Sequence, residues 1–197
     1  GAGLRVMDPT GAMVVDIGGG TTDVATIALG GIVSSTSIRQ AGDKFNTAIA
    51  NYVHSNFNLL IGERTSEDIK IQIGSASVEK AKDIESMNIR GRDLVTGLPK
   101  SVDIKAVDVA KAIQDVVQDI IIAIKETLEQ TSPEIAADVI DHGIVLTGGG
   151  ALLKNLPNVI SDATKVPVFI AQDPLDCVAI GTGESLKNIE TMRKSRK

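Results

Sequence analysis

Apolar and polar positions along this chain recur with two periods, and the switch between them marks out strands and helices. Three β-rich runs come first: Met13-Val14-Val15-Asp16-Ile17, residues 23–29 and residues 31–38, the last two parted by Gly30-Gly31. They predict three successive strands folded as a tight antiparallel unit. Phe45, Ile49, Val53 and Phe57 then recur at every fourth position, the stripe of a helix over 43–58 opened by Gly42-Asp43. A shorter helix is expected near 66–73. Residues 74–104 change character, with Gly74-Ser75-Ala76-Ser77 and Gly97-Leu98-Pro99 in them, and read as a small hairpin-bearing insertion. From 106 to about 130, Val109, Ile113, Val116, Val117, Ile120, Ile124 and Leu128 predict one long helix. Pro133 restarts a short helix, 143–146 is a buried strand, 151–162 is helical around a Pro157 break, and 166–170 is a final strand. A C-terminal helix over 175–189 and a basic tail, Arg193-Lys194-Ser195-Arg196-Lys197, complete the chain. Strands interleaved with helices make the fold class α/β.

Composition narrows the function. With 197 residues and 43% apolar content the chain can bury a real core. Its net charge of −5 argues against a general nucleic-acid footprint, and three Phe, one Tyr and no Trp leave no stacking platform for single strands. Cys177 is the one cysteine, which excludes an intrachain disulfide and a multi-cysteine zinc site and suits a reducing compartment. The longest strongly apolar stretch, Ile120-Ile121-Ile122-Ala123-Ile124, lies between Asp119 and Lys125, far short of the roughly 20 residues that span a bilayer. The opening Gly-Ala-Gly-Leu carries no initiator Met and no secretion signal, so a cytoplasmic location and a truncated start are expected.

Glycine placement carries the chemistry. Gly18-Gly19-Gly20 follows the first strand and is itself followed by Thr21-Thr22-Asp23; Gly148-Gly149-Gly150 follows Ile144-Val145-Leu146-Thr147. Glycines in such a turn let backbone N–H groups face an anion, and the threonine hydroxyls add donors. Asp16, at the carboxyl end of its strand, is suited to holding a magnesium ion through water. A hairpin with glycine for its turn explains the first triplet equally well, and structural glycine explains the second better when it is taken alone. Two such triplets, each at a strand's carboxyl end, favour a phosphate-binding site. No Gly-Lys pair occurs, so the nucleotide loop of the Gly-Lys-Ser/Thr type is excluded, and a strand rather than a helix after Gly20 argues against a dinucleotide fingerprint. His54 and His142 lack partners at triad or metal spacing, and Cys177 reads as a small buried residue.

Residues 13–25 resemble the second phosphate loop of the actin/Hsp70/sugar-kinase superfamily, and residues 146–153 resemble its adenosine motif. Ile61-Gly62-Glu63, Ile71-Gln72-Ile73-Gly74-Ser75-Ala76, Arg90-Gly91-Arg92-Asp93-Leu94-Val95-Thr96-Gly97-Leu98-Pro99 and Asp173-Pro174-Leu175-Asp176-Cys177-Val178-Ala179 narrow the likeness. They are similar to the MreB/Mbl family of bacterial actin-like cell-shape proteins. The resemblance covers the whole chain but only the second half of that fold. It implies a ribonuclease-H-like, actin-like ATPase domain over 1–73 and 105–197, with a small α+β subdomain inserted at 74–104. It implies ATP and Mg2+ as cofactors, with Gly18, Gly19, Gly20 and Thr21 on phosphate and Asp16 as the catalytic carboxylate that holds the metal through water. Glu67, Asp68, Ile69 and Lys70 fall on the segment that embraces ribose and adenine, and Gly148, Gly149, Gly150, Ala151 and Leu152 on the adenosine turn. Without the resemblance, Glu67 and Lys70 read as an ordinary i,i+3 ion pair. Ser77 and its neighbours, where relatives often carry Pro, depart from the pattern in the insertion. The implied partners are other copies of the protein in a filament, the inner face of the cell membrane and the wall-synthesis machinery. The implied activity is slow ATP hydrolysis in the whole protein, which this half alone is expected to perform poorly. A non-catalytic nucleotide-binding or assembly module, or half of an Hsp70-like chaperone or sugar kinase, are the alternatives. A chaperone would need a following peptide-binding domain and a kinase an acceptor-sugar site, and neither is visible.

Overall fold

The computed structural model describes residues 1–4 and 6–187; the predicted basic tail and the last two positions of the predicted C-terminal helix lie outside these. Two sheets organise it. The larger has strand order β3-β2-β1-β7-β8, built from β1 (Ala12–Ile17), β2 (Thr22–Ala28), β3 (Gly31–Ile38), β7 (Ile144–Thr147) and β8 (Val168–Ile170). β1, β2 and β3 pair antiparallel as their spacing predicted, while β7 and β8 run parallel to β1. Alternation sets the faces: Met13, Val15 and Ile17 are buried, and the residues between them are half-buried.

The smaller sheet, order β4-β5-β6, is antiparallel, with β4 (Leu59–Leu60), β5 (Met87–Asp93) and β6 (Pro99–Ile104). It draws its first strand from chain that precedes residue 74. Around it lie α1 (Gly42–Phe57), α2 (Glu63–Ile73) and α3 (Ala106–Ala112). α1 buries the predicted Phe45, Ile49 and Val53, and ends where Asn58 turns left-handed.

The predicted long helix is two. α3 stops at Ile113, whose φ of −93° and ψ of 1° leave the helical region, and α4 (Gln114–Glu129) restarts at once. The two pieces have different partners within one continuous core: α3 packs on α1 and α2, whereas α4 covers β2 and β3. Ile113, fully buried, sits at the joint. A single run of apolar residues, interrupted once at Ile113, therefore packs on two different sets of elements. α4 is also fastened to the sheet by hydroxyls. Thr131 meets Thr26 at 3.2 Å and Ser34 at 2.8 Å, and donates to the Thr127 carbonyl.

α5 (Pro133–His142), α6 (Leu156–Thr164) and α7 (Cys177–Lys187) complete the described helices. The helix expected over 151–162 begins later, because residues 149–152 form a single 3-10 turn and Asn155 adopts a left-handed φ of 64° before α6. Pro157 then occupies the first turn of α6, where its missing N–H costs no hydrogen bond.

Candidate functional site

The carboxyl ends of β1 and β7 lie side by side, since Asp16 pairs with Thr147. Both glycine triplets therefore meet at one edge of the large sheet. The first closes a tight turn, with the Gly18 N–H donating to the Thr21 carbonyl at 2.9 Å. Its carbonyls then cap a helix: the Gly42 and Asp43 N–H groups at the start of α1 donate to Gly18 and Gly19 at 3.0 and 2.8 Å. This backbone capping replaces the side-chain cap that Ala41 lacks.

The second triplet lies directly on the end of β1. Gly148 has φ +79°, and a Cβ there would strike the Ile17 carbonyl and reach 2.9 Å from Asp16 Oδ1. A Cβ on Gly150 would run into the Ile17 side chain. These two glycines are required by the approach of the turn to the strand. A Cβ on Gly149 would meet Leu175 Cδ2 at 3.3 Å, and one on Gly20 would meet nothing within 4 Å.

Between the triplets and α2 opens a cleft of about 440 Å3. One wall is backbone, from Gly18, Gly19, Gly149 and Gly150; another is apolar, from Ile71, Leu152, Leu153 and Leu175; Asp43, Glu67 and Lys70 supply the charges. Lys70 Nζ reaches toward the Gly42 carbonyl at 3.4 Å. Burial pushes its pKa down, against the opposing pull of Glu67 and Asp43. The two sides of the cleft are tied beneath it. Ala76 N–H donates to the Lys154 carbonyl at 2.8 Å, Asn155 Nδ2 to Ser75 Oγ at 3.0 Å, and the Lys154 ammonium to the Gln72 carbonyl. A glycine backbone wall, an apolar wall and a cation beside carboxylates suit a ligand with an apolar ring, hydroxyls and an anionic end.

Of the residues singled out from sequence, Gly18, Gly19, Glu67, Lys70, Gly149, Gly150 and Leu152 line this cleft. Gly20 and Thr21 complete the first turn, with Thr21 Oγ1 donating to Asp23 Oδ2 at 3.0 Å. Asp68 lies half-buried on α2, while Ile69 and Ala151 are fully buried core residues that hold the walls from behind. Asp16 accepts a hydrogen bond from Thr147 Oγ1 at 2.8 Å and faces a neighbouring recess of about 290 Å3 shared with Val14, Ile27 and Cys177. Among the described residues no three His, Cys, Asp or Glu side chains gather as a metal cluster, and no helix is long and apolar enough to cross a membrane. Gly42, Asp43, Phe45, Ile71, Leu153 and Leu175 line the cleft without having been singled out for it. Gly42-Asp43 was visible as a helix start, whereas Leu175 reaches the cleft only through the path of the chain after β8.

A mixed five-stranded sheet whose two glycine turns share one cleft, with a smaller α+β layer beside it, defines one half of an actin-like fold. Solved structures carry the same architecture. MreB5 of Spiroplasma citri bound to ADP matches with a TM-score of 0.92 at 40% identity over 98% of this chain and 58% of its own. The AMPPNP-bound form of that protein matches at 0.91 over the whole of this chain. The MamK double helical filament matches at 0.71, with 25% identity over 89% of this chain.

The MreB/Mbl protein family model matches residues 1–194, and this chain belongs to that family. It is 50% identical over its whole length to the cell shape-determining protein Mbl of Bacillus subtilis (strain 168) and 47% identical over 96% of its length to the cell shape-determining protein MreB of Escherichia coli (strain K12). It spans 58% and 54% of those two proteins.

Proposed function

We propose that this chain is the nucleotide-holding second half of a bacterial actin-like cell-shape protein. That protein binds Mg-ATP, hydrolyses it slowly, and polymerises in the cytoplasm into membrane-associated filaments that direct rod shape and wall synthesis. The observation that carries the reading is the cleft itself. It brings two distant glycine turns and the Glu67–Lys70 face together, in a fold that superposes closely on a relative bound to ADP and AMPPNP. Self-association is supported by the likeness to MamK, solved as a double helical filament.

The bound nucleotide and its magnesium ion would supply the phosphoanhydride bond and the metal's charge. The chain's own residues do the holding. Backbone at Gly18, Gly19 and Gly20, with Thr21, faces the phosphates; Gly149 and Gly150 admit the adenosine against Leu152; Glu67 and Lys70 grip the sugar side. Asp16, with Thr147 bonded to Oδ1, presents a carboxylate that fits magnesium, which binds through few carboxylates and keeps much of its water. Such catalysis is positional and electrostatic.

The test is titration of a fluorescent ATP analogue with and without Mg2+, alongside phosphate release. Saturable, magnesium-dependent binding with little turnover by this half is expected. Failure of both ADP and ATP to bind at millimolar concentration would reject the reading.

A further inference from the structure

We propose that Thr147 is a positioning residue for the metal: its hydroxyl fixes the Asp16 carboxylate, and its backbone ties that carboxylate to the second glycine turn. This rests on the reading above, in which Asp16 holds magnesium through water, and assigns the residue that orients it.

Asp16 has Asp23 of β2 and Thr147 of β7 as its two cross-strand neighbours on one face of the large sheet. The two are unequal. Asp23 carries the same charge, so directly across a strand pair it repels the Asp16 carboxylate, and its own Oδ2 accepts from Thr21 Oγ1 at 3.0 Å. Thr147 donates from Oγ1 to Asp16 Oδ1 at 2.8 Å, and among the described residues no other hydrogen bond reaches that carboxylate. Thr147 is 3% exposed. Its hydroxyl has no bulk water to turn to, so rotating away would leave a buried donor unpaired, and the bond holds.

The geometry also divides the carboxylate. Oδ1 carries the Thr147 bond and lies 2.9 Å from where a Cβ on Gly148 would stand, so the start of the glycine turn closes over it. Oδ2 is left for a metal-bound water, which suits an ion that binds through few carboxylates and keeps much of its hydration.

The same residue opens the second glycine turn. Gly148 follows Thr147 directly, has φ +79°, and donates its N–H to the Pro174 carbonyl at 2.8 Å. A ligand seated on Gly149 and Gly150 therefore rests on backbone whose preceding side chain sets the rotamer of Asp16. Without that hydroxyl, repulsion from Asp23 is unopposed and the carboxylate is free to swing within the recess of about 290 Å3 that it already lines. Removing a partner that orients a metal-holding group lowers metal affinity roughly 10–100-fold.

The test measures the gain in affinity for a fluorescent ATP analogue that Mg2+ brings, as the ratio of dissociation constants without and with the metal. Thr147→Val removes the hydroxyl, keeps the shape and suits a strand; it should cut that gain about tenfold. Thr147→Ser, which keeps a hydroxyl, should keep the gain. A merely structural role would weaken binding equally with and without magnesium. Valine with the full gain, or serine losing as much as valine, would overturn the proposal. If the melting temperature shows that valine is not accommodated, Thr147→Ala removes the same hydroxyl and is judged by the same outcomes. Asp16→Asn should lose the gain as well. If it keeps the gain, Thr147 has no carboxylate to act through and the proposal falls, while the nucleotide reading stands. No nucleotide binding by the unmodified chain, with or without magnesium, would overturn both.

Discussion

At the scale of single residues, the cleft depends on two different uses of glycine. Gly148 and Gly150 are present because β1 passes where their side chains would be, so Gly150→Ala should destabilise the fold by about 1–3 kcal/mol through overpacking against Ile17. Gly20 faces open space, so Gly20→Ala should leave stability nearly unchanged while weakening phosphate binding. Urea denaturation and nucleotide titration of the two variants separate these effects, and equal destabilisation by both would contradict the distinction. Lys70 makes a prediction of its own. Burial lowers its pKa, so its charge costs the folded protein stability below that value, a cost relieved as pH rises through it. Lys70→Met should therefore melt no earlier than the native chain yet bind nucleotide more weakly. Native binding should itself weaken as pH rises through the lowered pKa, before an ordinary lysine would titrate. Glu67 and Lys70 were legible as a shared helix face, but their spacing alone spoke equally for a surface ion pair. Their position at the rim of a cleft came from packing.

Among elements, strands and amphipathic helices were readable because each buries one face, and periodicity records that directly. The division of the 106–130 run into α3 and α4 was not. Its apolar spacing is satisfied by a single helix, and the break at Ile113 goes with a change of packing partners, from α1 and α2 to β2 and β3, that no local spacing records. The hydroxyl seam between α4 and the sheet was also invisible, since Thr26, Ser34 and Thr131 stand far apart in sequence. Thr131→Val removes the partner of two hydroxyls and should cost about 1–2 kcal/mol in urea denaturation; a neutral result would mean that the seam contributes nothing. The β5–β6 loop predicts a pH effect. Lys100, followed by the Thr96 and Val95 N–H groups, holds the Asp93 carboxyl well below the usual range. Its contribution is present above the unfolded carboxyl value of 3.8 and is lost as pH falls from there through the lowered folded value. Amide exchange at Val95 and Thr96 should accelerate in Asp93→Ala at neutral pH and in the native chain under strong acid. Unchanged exchange in the variant would show that other contacts hold the loop.

For the whole molecule, the two sides of the cleft are joined by long-range hydrogen bonds, so a ligand there is expected to protect both glycine turns together. Saturating nucleotide at about 100 times its dissociation constant should add roughly 2.7 kcal/mol of stability, read as a melting shift, with amide protection gained at 18–21 and 148–152 alike. Protection at one turn only would mean that the turns do not form one site. The α/β class, the strand runs, the glycine triplets and the family likeness were all written in the linear chain, because each depends on local periodicity or on a contiguous motif. The pairing of β1 with β7, the crossing of the Gly148–Gly150 turn over Ile17, the arrival of Leu175 and Gly42 at the cleft and the helix break at Ile113 depend on contacts between residues distant in sequence. No local pattern encodes such contacts, and they form only when the apolar faces of all the elements are buried together.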